Sequence, residues 1–394
     1  MIEINKNYLN IKKSYLFAEV NKRSREYLEA HPDEKLLILG VGDITQPLCD
    51  SVISALHSAV DDQSKKESFH GYMPECGSDE FRTAVVSYYK KFGVNFEKNE
   101  VFVSSGALDE LGDILKLFSD NNSALVPEPA YPAYVETNII SGHRVIHLPA
   151  LPENGFTALP DYGIDADIIY LCSPNNPTGA AYSYDVLSKW VEYAKAKKSI
   201  IIFDAAYESF IVDRDIPHSI FELEGSRQCC IEICSLSKTA GFTGMRCGYT
   251  VIPNELVFDG ISLNALWTQN RTTITNGVSY VLQKAGAAAL SEEGQRQTKQ
   301  ALKIYQKNAE VLTKALDECK ITYYGGKNSP YIWMRCPNDM NSWDFFDFLL
   351  NKAQIVGTPG AGFGECGNYY FRLSAFGDPE DTVLAGERIK DMFK

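Results

Sequence analysis

Through the middle of the chain, short and almost continuous apolar runs alternate with segments of helical periodicity. "NSALVPEPAYPAYVE" reads as a strand, a turn and the start of a helix. "ADIIYLCSPNNPTGAAYSYDVLSKWVEYAKAKKSIIIFDAAYESF" reads as strand, Pro/Gly loop, helix and strand, and "CCIEICSLSK" as one strand more. A strand that is apolar at nearly every position is covered on both faces. The alternation therefore predicts an α/β fold, with a mostly parallel central sheet and helices on both sides. The ligand crevice of such a sheet lies beyond the carboxyl ends of its strands. The pattern changes near Ser291. "EEGQRQTKQALKIYQKNAEVLTKALDEC" is a long amphipathic helix, followed by strand-like "YYGGKNSPYIWMRC", a helix at "SWDFFDFLLNKA" and strand-like "YYFRLSAFG". This predicts a smaller α+β domain, residues 291–394 completed by residues 1–39, beside a large domain of residues 40–290.

Residues with chemical potential gather at the predicted strand ends. Lys238 follows "IEICSLS". Asp204 closes "SIIIFD", with Tyr207 three residues on. Asn176 lies in "SPNNPTG", and "VFVSSGALDELGDIL" puts Ser104, Ser105 and Gly106 before a helix. In "SLSKTAGFTGMRCGY" an ammonium and a guanidinium stand eight residues apart among small residues. Like charges repel, so the site calls for a shared anion or a covalent partner. Pyridoxal phosphate satisfies every part. A lysine amine forms a Schiff base with its aldehyde. Asp204 pairs with the ring nitrogen and keeps it protonated, while Asn176 and Tyr207 hydrogen-bond the phenolic oxygen. The phosphate lies at the helix N-terminus after Gly106, where unpaired N–H groups and the helix dipole favour an anion, and Ser235, Ser237 and Arg246 complete its cradle. Singly, each piece is ordinary: a strand-end aspartate is commonly a cap, and "NNPTG" is a good turn. Their joint occurrence, each after a strand, carries the reading.

Composition narrows the picture. The 394 residues are 45% hydrophobic and 23% charged, as expected of a globular enzyme. A formal charge of −13 argues against general nucleic-acid binding, though not against a local pocket for one small anion. The N-terminal "MIEINKNYLNIKKSYLF" has no apolar run of signal-peptide length, and no stretch is long enough to span a bilayer. The ten cysteines show no paired framework and read as buried thiols of a reducing cytoplasm. Cys230 and Cys234 have no second ligand pair at metal spacing. His143 and His147, four apart on a predicted strand, stand about 13 Å from each other. That is too far for one zinc, so they read as exposed or capping, and no metal is expected. "GFGECG", Gly362 to Gly367, satisfies G-x-G-x-x-G but precedes a strand instead of a helix. It reads as a flexible loop near Arg372, of the kind that closes over a substrate.

"SPNNPTG", "FDAAY" and "SLSKTAGFTGMRCGY" resemble the motifs of fold type I aminotransferases. "SYLFAEV", "GVGDITQP", "GYMPECG", "EPAYPAYVE", "WTQNRTTITNGVS", "NSPYIW" and "TPGAGFGECG" extend the resemblance over nearly the whole chain, toward the branch acting on LL-diaminopimelate. The resemblance implies a homodimer with active sites shared between subunits. Lys238 is then the Schiff-base lysine and the general base, Tyr131 stacks on the cofactor ring, and Tyr72 reaches the phosphate of the neighbouring subunit. Ala107 and Leu108 also fall to the cofactor, and Gly42 and Asn176 to the substrate. Arg372 grips the substrate α-carboxylate by a bidentate fork. Tyr15, Glu75 and Asn276 match positions at the distal end of the substrate, the last two from across the dimer. The chain departs from the family where "SSGAL" replaces Ser-Asp-Gly-Ala-Lys, putting Ser105 for the aspartate and Leu108 for the lysine, and where "GYM" places Met73 beside Tyr72. The implied reaction is a ping-pong transamination of LL-diaminopimelate with 2-oxoglutarate, in lysine and cell-wall biosynthesis. Alternatives are an aromatic, aliphatic or specialised-pathway amino donor, lyase, decarboxylase or acyl-transfer chemistry on the same scaffold, or a ligand sensor.

Overall fold

The computed structural model describes residues 2–11 and 16–393. Its centre is a seven-stranded sheet. Across the sheet the strands run Val101–Ser104, Gly248–Val251, Cys230–Ser235, Ile200–Asp204, Ile168–Cys172, Ser123–Glu128 and Arg144–Pro149. All neighbours are parallel except Gly248–Val251, which is antiparallel to both strands beside it. The expected mostly parallel sheet is therefore present. Ile168–Cys172 and Ile200–Asp204 are buried at every position, because separate apolar clusters cover the two faces. Helix Tyr184–Lys197 shows how the sequence arranges one of these layers. Ser183 caps it by accepting the Val186 N–H, and Leu187, Trp190, Val191 and Ala194 recur at helical spacing on its buried face.

The second unit is a four-stranded antiparallel sheet, ordered Tyr323–Gly325, Tyr331–Arg335, Tyr370–Ser374 and Thr358–Pro359. Helix Glu292–Glu318 runs for 27 residues, about 40 Å, with Leu302, Tyr305, Ala309, Leu312 and Leu316 on its buried stripe. Gly294 near its start is required by packing, since a Cβ there would lie 2.0 Å from the Ala288 carbonyl oxygen. Leu16, Val20, Leu37 and Leu39 share one core with Leu312, Leu316, Phe345 and Ile389, so the early segment and the last hundred residues pack as one body. Truncating Leu312, which is fully buried there, would cost about 2–5 kcal/mol.

Some expectations are corrected. His143 precedes its strand and is buried, with Nδ1 2.7 Å from Asn138 Oδ1. Cys49, Cys76, Cys319 and Cys366 are only partly buried, unlike the other six cysteines. Among the described residues no helix is long and apolar enough to cross a membrane.

Candidate active site

Five of the parallel-sheet elements end at one cavity of about 380 Å³. Its wall includes Gly42, Ala107, Leu108, Tyr131, Asn176, Asp204, Tyr207, Ser235, Ser237, Lys238, Arg246 and Arg372, all singled out from the sequence. Tyr15 lies outside the described residues. Tyr72, Glu75 and Asn276 are not on the wall of this chain's own cavity. Tyr72 is 88% exposed. The segments of Glu75 and Asn276 meet, because a Cβ on Gly277 would come within 3.0 Å of the Met73 and Pro74 carbonyl oxygens.

Lys238 sits on the short turn of helix Leu236–Thr239, directly after the Cys230–Ser235 strand. Its Nζ donates to the Gly42 carbonyl oxygen. Burial pushes its amine down to about 8; Asp43 nearby opposes this, and Arg372 and Arg246 add to it. Asp204 is buried at the end of its strand. Its Oδ2 accepts the Tyr134 hydroxyl at 2.7 Å and its Oδ1 accepts the Ala206 N–H at 3.0 Å. Burial raises the carboxyl above its ordinary range despite both donors. No ion pair reaches it among the described residues. A carboxylate in such a place is matched by a cation, and a protonated ring nitrogen is one.

Arg246 reaches the cavity wall beside the strand-to-helix turn at Gly106. Gly106 precedes helix Ala107–Asp113 at φ +126°, and a Cβ there would lie 2.4 Å from Arg246 Nη2. The guanidinium therefore lies flush on the strand-to-helix turn only because that residue is glycine. Arg246 itself holds φ +61°, a left-handed conformation unusual for a side-chain-bearing residue. Its Nη1 donates to Ser237 Oγ at 3.3 Å and to the Thr243 carbonyl at 3.2 Å, and Asp109 stands 3.7 Å from Nη2. An aldehyde-reactive amine, a buried acid and a serine–arginine cradle fit pyridoxal phosphate in donor chemistry.

Arg372 occupies the side of the cavity formed by the smaller sheet and is 1% exposed. Its Nη1 donates to Asn176 Oδ1 at 2.6 Å, and its Nη2 to the Gly40 carbonyl at 2.6 Å and Thr358 Oγ1 at 3.2 Å. These acceptors are neutral oxygens. Its Cζ lies 4.4 Å from the Tyr331 ring centroid and 5.0 Å from that of Phe363. The Tyr207 and Tyr331 hydroxyls are 2.8 Å apart, and burial pushes the Tyr207 phenol well above its ordinary value. Gly42 packs on this pair: a Cβ there would be 2.4 Å from the Tyr331 oxygen.

Tyr134, Tyr331, Asp43, Phe17 and Thr243 also line the cavity and escaped the sequence reading. Tyr134 had a signal, since it stands three residues after Tyr131 at the start of a helix, on the same face. Tyr331 had none of its own, because its partners come from distant strands.

The sequence pattern of the family described as "Aminotransferase class I and II" matches residues 34–389. The chain is similar to the LL-diaminopimelate aminotransferase of Lachnospira eligens, with 46% identity covering 99% of this chain and 100% of the relative. It is similar to the same-named enzyme of Agathobacter rectalis at 45%, with the same coverage. Among solved structures, L,L-diaminopimelate aminotransferase from Chlamydomonas reinhardtii superposes with a TM-score of 0.93 at 35% identity, covering 100% of this chain and 99% of that one.

Proposed function

The chain belongs to the class I and II aminotransferases, enzymes that work with pyridoxal 5'-phosphate, and on that premise we propose that it moves the amino group of LL-diaminopimelate to 2-oxoglutarate. The carrying observation is that Lys238, Asp204 and Arg372, all largely buried and drawn from separate parts of the chain, converge on one cavity. The substrate assignment is supported by the names of two relatives alike over their full length.

Bound there, the cofactor supplies an electron sink for bond breaking at the substrate α-carbon. The chain's residues do the rest. Ser235, Ser237, Arg246 and the backbone N–H groups of Ala107 and Leu108 hold the phosphate. Asp204 holds a proton on the ring nitrogen. Asn176 and Tyr207 hydrogen-bond the phenolic oxygen, and Tyr131 stacks on the ring. Arg372 takes the α-carboxylate of the amino acid and then of the oxo acid, with Gly42 and Asn176 beside it. Lys238 takes the proton from the α-carbon. An amine held near 8 by burial gives up and regains a proton close to neutral pH, as a general base requires.

The working unit of this reading is a cytoplasmic homodimer. Tyr72 of each subunit reaches the other's phosphate, and Glu75 and Asn276 reach the distal end of the other's substrate, where Tyr15 also belongs. Each chain divides into residues 40–290 and a smaller body of residues 1–39 with 291–394. The test is a donor screen on the holoenzyme with 2-oxoglutarate, following glutamate formed. It includes LL- and meso-diaminopimelate and aromatic amino acids. LL-diaminopimelate should have the highest kcat/KM, and Lys238→Ala should abolish turnover. Ammonia or carbon dioxide without glutamate overturns transamination; a preferred aromatic donor overturns the substrate.

A further inference from the structure

We infer that Glu128 is a positioning residue for Arg372: it fastens the Gly360–Gly367 turn to the central sheet, and that turn holds Phe363 against the guanidinium. The inference rests on the reading of Arg372 as the carboxylate-binding group.

Glu128 is the last residue of the Ser123–Glu128 strand and is buried. Its Oε1 accepts the Cys366 N–H at 2.8 Å. Its Oε2 lies 2.8 Å from Nδ1 of His147, which is half-exposed on the neighbouring strand. The carboxylate lies flush on Gly364, where φ is +118° and a Cβ would be 2.1 Å from Glu128 Cδ. Any side chain at 364 would push the two apart. Two residues beyond Glu128, the Ala130 N–H donates to the Phe363 carbonyl at 3.0 Å. The same strand end thus grips the turn twice. On its other side the turn abuts helix Leu16–Ala30, since a Cβ on Gly362 would be 2.3 Å from Leu16 Cδ1. The turn also closes on itself, with Gly367 so near the Gly360 carbonyl oxygen that a Cβ would be 2.0 Å away. The run expected to be a flexible loop is a wedge fixed on three sides.

The wedge carries one functional face. Phe363 is buried, meets Trp333 edge-on at 6.0 Å and lies 5.0 Å from Arg372 Cζ. Trp333 is the register partner of Arg372 in the smaller sheet. With Phe363 at 5.0 Å and Tyr331 at 4.4 Å, aromatic contact adds to the hydrogen bonds to Asn176, Gly40 and Thr358 in holding the guanidinium, and a bidentate fork works only in the correct plane. Burial alone would raise the proton affinity of Glu128. His147 and the N–H groups of Cys366 and Glu365 lower it on balance, so the anchor is an anion at neutral pH. Glu128 does not line the cavity; it acts through the turn.

Steady-state kinetics of the holoenzyme test this. Glu128→Ala should raise KM for both the amino acid and the 2-oxo acid about tenfold, with kcat changed less than about threefold. The absorbance of the bound cofactor should not change. An amine donor lacking the α-carboxylate, which makes no use of Arg372, should react at the wild-type rate. Glu128→Gln keeps an oxygen for the Cys366 N–H and should recover most of the loss. Phe363→Leu, which leaves the anchor intact, should give the same split and serves if Glu128→Ala does not fold. A uniform fall with both kinds of donor, or lost cofactor absorbance, overturns the inference, as does an unchanged KM in both variants. Arg372→Lys separates the levels. If it leaves KM unchanged, the carboxylate reading fails and this inference with it. If it raises KM while Glu128→Ala and Phe363→Leu do not, only this inference fails.

Discussion

Replacing Tyr134 by Phe removes one oxygen and little else. The ring is buried, stacked on Tyr170 at 5.2 Å and edge-on to Tyr131 at 5.9 Å, and a phenyl ring keeps both contacts. The lost hydroxyl is one of two donors that hold the Asp204 carboxylate against the effect of its burial. A hydrogen bond to a charged group is worth about 1.5–3 kcal/mol, a factor of about 10 to 150. The direction follows. With one donor gone the carboxyl is protonated more readily, and a protonated acid no longer matches a cationic ring nitrogen. We expect kcat/KM to fall about 10- to 100-fold and the acid limb of its pH profile to move up. The assay is kcat/KM against pH for wild type, Tyr134→Phe, Asp204→Asn and the double variant. In the Asp204→Asn background there is no carboxylate to hold, so the second change should add less than about twofold. An unmoved acid limb with activity within about twofold of wild type would refute the reasoning. So would an equal loss in the Asp204→Asn background.

Two further changes test other parts of the molecule. Leu108 is half-exposed at the cavity wall in place of a lysine of the resembling branch; with LL-diaminopimelate as the preferred donor, Leu108→Lys should leave its kcat/KM within about threefold of wild type, and a gain of about 10- to 150-fold would show the leucine to adapt the pocket to a less polar donor. No gain, together with strong wild-type turnover of that donor, would show the leucine to be neutral. Glu232 is fully buried on the strand leading to Lys238, accepting from Tyr89, Ser219 and the Ile220 N–H, and burial raises its carboxyl from 4.5 to about 7. The folded chain then holds a proton that the unfolded chain releases, so stability falls as pH rises between those values, by about 3 kcal/mol in all; Glu232→Gln should remove that share of the slope in denaturant unfolding, and parallel curves would count against it.

What was legible in the chain was chemistry tied to strand ends. Ile200–Asp204 announces itself because burial on both faces leaves no polar position until Asp204 ends the strand, and Cys230–Ser235 is apolar but for the buried Glu232, with Lys238 just past its end. Arg372 was legible as a residue but not in its setting: Tyr331, Trp333 and Phe363 reach it through antiparallel register and a turn, contacts with no local spacing to read. Tyr72, Glu75 and Asn276 were assigned by resemblance alone, and none of them lines this chain's cavity. His143 lies one residue before its strand and is buried, its ring against Asn138 and its backbone N–H donating to the Asn138 carbonyl at the helix end, so the capping alternative holds and the exposed one does not. "GFGECG" is the most instructive case. Glycine is placed where the chain must flex, and equally where another group must come closer than a Cβ permits. The two needs look identical in one dimension. At Gly364 the Glu128 carboxylate fills the space a side chain would take, so the glycines there serve close approach, and the turn they build packs behind the arginine wall of the cavity.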